Sequence, residues 1–413
     1  MTRGSHAKGA APLAGLRVIE IANDIAGEFT GRLLAEMGAD VVKIEPPGGS
    51  PTRAVGPFAG NARDPDRSLN FWFYNSNKRS LVLDIASGAG RAAFKTLASD
   101  ADILVVTAQP AELENLQLDL ARLAADHPQL IALSVTPFGL DGPWANFKSS
   151  DIVALAAGGP LNSCGYDDHS IPPIRPGGNQ GYHTATSFAL LGVMLALIER
   201  QRTGRGQVID VSMHEALAVN VELANPYWFY PRVNVHRQTC RHAQPTPTQP
   251  ALFRCADDRY VYFALILSDP KAWRTLVEWM ATKDMAADLV QAEFLDVAYR
   301  QCRMHDIQEL VECFFLVQSS AEAYHDGQAR GLPIGVLNAP EDVLKDEHLQ
   351  ARGFFVEVDH GDLGSVVYPG TPYRFSSFDG VDRIRAPALG EHTQEILAEL
   401  QGERRSAATA AAQ

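Results

Sequence analysis

The segment GGNQGYHTATSF, residues 177–188, sets a phenol (Tyr182) beside an imidazole (His183) where a glycine- and asparagine-led loop runs into an apolar stretch. An imidazole titrates close to neutrality, so His183 suits a general base or an acyl acceptor. A phenol with a pKa near ~10 is a poor nucleophile at neutral pH, and its acyl ester is stable, so Tyr182 does not suit that role. The plain alternative is that both side chains fill space at a helix start. Asp151, in KSSDIVALA, supplies a carboxylate ionised at neutral pH and equally fits a helix N-cap. His214 and Glu215 in SMHEA have no second histidine at metal-ligand spacing and read as helix-start chemistry. Cys164, Cys240, Cys255, Cys302 and Cys313 are scattered without a CxxC pair, so we expect reduced thiols and no metal site.

The elements around these residues alternate. RVIEIA (17–22), DVVKIE (40–45), SLVLDI (80–85), DILVVT (102–107), LIALSVT (130–136) and GQVIDVSM (206–213) read as buried parallel strands. Helical spacing falls at 28–38, near 88–98, near 116–124 and over 186–200, which predicts an α/β, Rossmann-like fold. The first turn, NDIAGE, carries only Gly27, and a dinucleotide site needs several glycines there for backbone to approach a pyrophosphate. Glu45 then reads as an ordinary strand-end acid. Residues 225–250 hold five prolines, the aromatic run YWFY and no periodicity, which predicts a linker and loop. Beyond it, ALFRCADDRYVYFALI predicts a hairpin turning at Asp257-Asp258, followed by helices to about 328.

A chain of 413 residues exceeds one simple core. The expected division is a large domain over 11–220, a linker and loop over 221–250, a small domain over 251–330, and a return to the large domain over 331–402. The formal charge of −13 with no Lys/Arg block argues against nucleic acid or an anionic membrane as partner. The apolar run SFALLGVMLALI (187–198) is too short to span a bilayer and ends at Glu199-Arg200. The first residues lack the apolar core of a signal peptide, and with the reduced thiols this points to the cytoplasm.

Eight phrases together resemble the class III CoA-transferases, the family of formyl-CoA and carnitine CoA-transferases and α-methylacyl-CoA racemase. They are PLAGLRVIEIA, LLAEMGADVVKIEPPGGSPTR, YNSNKRSLVLD, GPWANFKSSDI, ALIERQRTGRGQVIDVSM, GLPIGVLN, LQARGFF and PALGEHTQEIL, in family order from Pro12 to about Leu400. The resemblance implies a Rossmann-like large domain built from both chain ends, a smaller inserted domain, and two ring-like subunits threaded through each other. It also implies CoA, as acyl-CoA, for substrate: an aspartate attacks the thioester, a mixed anhydride forms, and an aspartyl-CoA thioester passes CoA to the acceptor acid.

Counted back from TGRGQ, the family nucleophile falls at Tyr182, with Gly181 or His183 one residue away, and none is acidic. Ser150 stands where racemases carry a histidine, so the two-base exchange of a racemase has no machinery here. Asp151 occupies the position of a family acid near the reaction centre. Lys148 matches a CoA-contact position, with a solvated surface lysine as the competing reading. Arg53, Lys78, Arg79 and Met213 stand at CoA-proximal positions, where the cations could pair with phosphates, although NKRS also fits a surface patch at a strand start. Thr107-Ala108 replace an Asn-Phe pair, Pro46 an arginine, and PTPTQP (245–250) a mobile glycine loop. Loss of the acid, the pair and the loop together predicts a subunit relieved of catalysis and paired with an Asp-bearing paralogue, as in the family's heteromeric (R)-benzylsuccinate CoA-transferases. The alternatives are an active homodimer in which His183 or Asp151 takes over, and a non-enzymatic acyl-CoA-binding protein.

Overall fold

The computed structural model describes residues 10–221, 223–265 and 268–400 and divides them into two compact units. The larger comprises 10–160, 176–220 and 348–400; the smaller comprises 161–175 and 221–347.

In the larger unit, strands β1 (Arg17–Ile21), β2 (Asp40–Glu45), β3 (Arg79–Val82), β4 (Ile103–Val106), β5 (Ile131–Thr136) and β6 (Val208–Ser212) form one sheet in the order β3-β2-β1-β4-β5-β6. Every pairing is parallel. β-Branched and leucine side chains fill both faces: Val18, Ile19, Leu104, Val105, Ile131 and Leu133 are all 0% exposed. Burying a side chain of that kind contributes roughly 1.5–3 kcal/mol, which is why these runs carry no polar alternation. The strand order reverses between β1 and β4, and in such sheets ligands gather beyond the strand C-termini at that point.

Helices α1 (Ile25–Glu36), α2 (Leu69–Asn75), α3 (Gly88–Ser99), α4 (Pro110–Leu116), α5 (Leu120–Asp126), α6 (Asp151–Gly158), α7 (Gln180–Thr203) and α8 (Met213–Ala218) belong to the same unit, which also holds an antiparallel strand pair, Phe355–Asp359 with Ser365–Pro369. The first begins three residues before the expected 28 because the Asp24 side chain accepts from Gly27 N and caps it. The single helix expected near 116–124 is two, broken where Gln117 takes a left-handed φ of 53°. By length and hydropathy α7 could cross a membrane; here it packs on α1, α6, α8 and β5 as the crossover before β6. Its outer face leaves Phe188, Leu191, Leu195 and Ile198 at 40–64% exposure, a stripe at helical spacing.

The smaller unit has more structure than a linker at its start. A helix, α9 (Ala224–Phe229), is followed by an antiparallel pair, β7 (His236–Gln238) and β8 (Arg241–Gln244), turning at Cys240 with φ 53°. The expected hairpin is present as β9 (Leu252–Arg254) and β10 (Tyr260–Phe263), with Asp258 at φ 60° in its turn. Residues 331–336 do not return to the larger unit: β11 (Ile334–Val336) pairs with β10, and His348 is where the larger unit resumes. Trp279, Phe253, Phe314 and Phe315 form the smaller unit's core with helices Pro270–Ala281, Met304–Leu316 and Ser320–Ala329.

Candidate functional site at the start of α7

Residues 177–183 run into the first turn of α7, whose N-cap position is Asn179. The Asn179 side chain does not cap the helix; its Nδ2 donates to the Tyr74 hydroxyl at 3.1 Å. The capping acceptor comes from another helix. Asp151 Oδ1 accepts from Gly181 N at 2.8 Å, and both residues are buried. A Cβ at Gly181 would lie 3.1 Å from that same oxygen and 3.4 Å from Met213 Sδ, so the position favours glycine. Asp151 is therefore not the N-cap of its own helix, where Ser150 stands; it caps the next one. Met213 lies buried beneath the turn, at the first position of α8.

His183 is half-buried, its ring centroid 4.9 Å from that of Phe29. Its Nε2 meets the Tyr74 hydroxyl at 2.9 Å. Burial holds the imidazole below its ordinary range, the Asp151 carboxylate opposing and Arg32 reinforcing. Burial pushes the Tyr74 phenol upward, partly offset by the bond from Asn179. Both groups are thus neutral at pH 7. The consistent assignment runs from Asn179 N–H to the Tyr74 oxygen and from the Tyr74 O–H to His183 Nε2, which places the imidazole proton on Nδ1. With Nε2 already accepting, His183 is poorly set as a base through that nitrogen. Tyr182, in the slot counted back from TGRGQ, is half-buried on the same turn.

The cations expected at phosphate positions point elsewhere. Lys78 Nζ lies inside the fold, 2.8 Å from Glu20 Oε2, and donates to Glu28 O (2.7 Å) and Asn75 Oδ1 (2.8 Å). Lys43 completes the cluster, 3.1 Å from Glu20 and 2.9 Å from Glu28, all four side chains being 0% exposed. Burial lowers Lys78 to about 8 against the pull of Glu20. Burial would lower Lys43 too, but Glu28 and Glu20 outweigh it and raise it. Gly31 makes room for this cluster, since a Cβ there would fall 1.8 Å from Glu20 Oε2. Arg53 is 2% exposed, holds both oxygens of Glu45 at 2.6 and 2.8 Å, and lies 3.8 Å over the Phe71 ring. Burial would raise Glu45, but Arg53 and Lys43 bring it down to about 2. Arg79 is bonded to Asp40, Glu395 and Glu399. Lys148 is exposed.

At the strand reversal, Thr107 closes the first turn. Its hydroxyl accepts from Asn23 N at 3.0 Å, and its methyl lies 2.4 Å from where a Gly27 Cβ would stand. In the smaller unit, Thr248 of PTPTQP donates from both N (2.6 Å) and Oγ1 (2.9 Å) to Gln238 Oε1, tying the segment to the β7–β8 hairpin. Tyr74 and Asn179 were not singled out as site residues by sequence, although both stand in quoted stretches, YNSNKRSLVLD and GGNQGYHTATSF.

Comparison with known proteins supplies the context. The model of CoA-transferase family III matches residues 13–393. The chain is 33% identical to the succinyl-CoA:(R)-benzylsuccinate CoA-transferase subunit BbsE of Thauera aromatica, covering 93% of each. It is 32% identical to the succinyl-CoA–L-malate CoA-transferase beta subunit of Chloroflexus aurantiacus, over 95% of this chain and 94% of that one. A solved CAIB/BAIF family protein from Brucella suis superposes with a TM-score of 0.82 at 26% identity, over 94% of this chain and 99% of that one.

Proposed function

The chain belongs to CoA-transferase family III, and from that premise we propose that it is a transferase subunit without the nucleophilic aspartate, completed by an Asp-bearing paralogue. One observation carries the reading. The first turn of α7 presents Tyr182 in the acid's slot, while Asp151 and His183 are each engaged by a neighbour, Gly181 N and the Tyr74 hydroxyl. The subunit names of the benzylsuccinate and malate relatives support a heteromer.

In this reading the paralogue's carboxylate attacks the donor thioester and expels CoA thiolate. The thiolate then takes the acyl-bearing aspartate as a thioester, releasing the donor acid. The acceptor carboxylate attacks that thioester, forming a second anhydride and expelling CoA thiolate, which takes the acceptor's acyl group and frees the aspartate, so no oxidant or net proton is needed. This chain holds its own α7 turn closed and contributes surface to the assembly. The stripe of Phe188, Leu191, Leu195 and Ile198 is apolar surface of the kind that marks a partner face, and supports the threaded-ring dimer. The acidic charge and the five scattered cysteines, which make no CxxC pair, fit a cytoplasmic enzyme of acyl-CoA metabolism.

The test is kinetic. The chain purified alone should exchange CoA between no pair of acids. Co-expressed with the paralogue it should give activity that Tyr182→Phe leaves nearly intact and the matching Asp→Ala in the paralogue abolishes. Robust turnover by the chain alone, lost on His183→Ala, overturns the proposal in favour of a homodimer working through His183.

A further inference from the structure

The antiparallel pair of Phe355–Asp359 with Ser365–Pro369 stands outside the six-stranded sheet, as a hairpin of two strands. Two strands alone are marginally stable in water, so such a hairpin is held by what it packs on. Here its support is α2 and the C-terminal segment: Val358 and Tyr368 form one small core with Phe71, Trp72 and Ala386. His360, directly after the first strand and 9% exposed, closes that core. Its ring lies across Trp72, with centroids 3.9 Å apart and planes 30° from parallel, and its Nε2 meets the Tyr368 hydroxyl at 2.9 Å. Trp72 in turn donates Nε1–H to Asp66 O at 2.8 Å.

The protonation state of His360 decides whether this packing is satisfied. Tyr368 is 5% exposed, and burial pushes its phenol up to about 12 against the pull of Arg383 and Arg32. The phenol is therefore the donor and His360 Nε2 the acceptor. A proton on Nε2 would set two donors face to face unless the phenol O–H turned away, and that hydroxyl bonds no other acceptor. Burial, reinforced by Arg385 and opposed by Asp359, holds the imidazole below its ordinary 6.5. Arg385 is itself paired with Glu391 and faced by Asp66, while Arg383 and Arg32, beyond Tyr368, share Glu36. The Trp72 face offers an imidazolium some cation–π attraction, which offsets part of the cost.

The same helix reaches the α7 turn. Two residues after Trp72, Tyr74 bonds His183 Nε2 at 2.9 Å and accepts from Asn179 Nδ2 at 3.1 Å. We propose that His360 is a pH-operated latch: its neutral ring holds the hairpin on α2, its protonation frees the hairpin, and α2 carries that change to the Tyr74–His183 pair. A ring that binds its proton more readily in the open state favours the closed state above about 6.5 and yields as pH falls below it. The inference does not depend on whether the chain is catalytic.

Hydrogen–deuterium exchange of the purified full chain, read by mass spectrometry and corrected for intrinsic rate, measures such local opening. Peptides covering 355–369 and 69–75 should open at least about threefold more at about pH 5.5 than at about pH 7.5. His360→Gln should remove that rise, because its amide oxygen can accept from the Tyr368 hydroxyl and does not titrate. In proton NMR, the ring signals of His183 should show an inflection at the His360 midpoint that His360→Gln lacks. Equal opening at both pH values, the same rise in His360→Gln, a His360 midpoint at or above 6.5, or His183 signals blind to His360 overturns the proposal. Should His360→Gln fail to fold, the wild-type His360 midpoint and the His183 inflection decide.

Discussion

Lys78→Met separates a phosphate-binding role from the structural one seen here. The wild-type ammonium lies 2.8 Å from Glu20 Oε2 and bonds Glu28 O and Asn75 Oδ1, in a cluster of two lysines and two glutamates that is neutral as a whole. Methionine keeps most of the volume and removes the charge, so Glu20 and Glu28 are left sharing Lys43 at 0% exposure. Removing one partner of a buried ion pair costs roughly 3–5 kcal/mol, because the other partner's charge stays buried without compensation. Set against a total stability of ~5–15 kcal/mol, that raises the unfolded fraction roughly a hundred- to several-thousand-fold. Urea unfolding followed by far-UV circular dichroism should show the midpoint falling steeply, and Lys78→Met with Glu20→Gln should recover part of the loss. If Lys78→Met instead unfolds at the wild-type midpoint and only loses affinity for CoA, the cluster argument is wrong and the phosphate role stands.

Three further outcomes follow from the same geometry. Asp24, raised by burial to about 7 in the fold against 3.8 ordinarily, binds its proton more tightly folded than unfolded, so stability should fall as pH rises from about 4 to 7. Asp24→Asn keeps a cap acceptor for Gly27 N and should flatten that decline; unfolding midpoints at pH 5 and 8 that drop equally in both proteins contradict it. His183 should titrate below 6.5 when followed by proton NMR of its ring carbons, and a midpoint at or above that value shows the imidazole is not held neutral. Leu195→Glu, on the apolar stripe of α7 where Leu195 is 57% exposed, should shift light scattering from dimer toward monomer; an unchanged dimer removes the stripe from the interface.

The parallel sheet was legible because continuous apolar runs bounded by turns leave few other readings, and the ends of its six strands fall within three residues of their expected places. The start of α7 was not. It begins at Gln180 rather than near 186 because the capping oxygen belongs to Asp151, thirty residues earlier, and local pattern cannot see an acceptor from another helix. The same distance hid the fate of the cations. Arg53 and Lys78 look like surface groups in SPTRA and NKRS, yet their carboxylates sit on β1 and β2, and only folding brings them together. Residues 225–250 lack periodicity because a six-residue helix and a short hairpin are too brief to show any.

The bond from Gly181 N to Asp151 also acts as a clasp. Leu161–Arg175 belongs to the smaller unit, while α6 before it and α7 after it belong to the larger. The two helices pack on each other, and the first residue of α6 is tied to the first turn of α7 by one carboxylate and one amide. Whatever the excursion does, its root is fixed, so the entropy of closing it is largely met before its own residues are ordered. Lengthening or trimming 161–175 should therefore leave the register of α7, and with it Tyr182 and His183, where it is. The neck is a graft point: a place where related chains can exchange one insertion for another while the helix that carries the reactive slot keeps its seat.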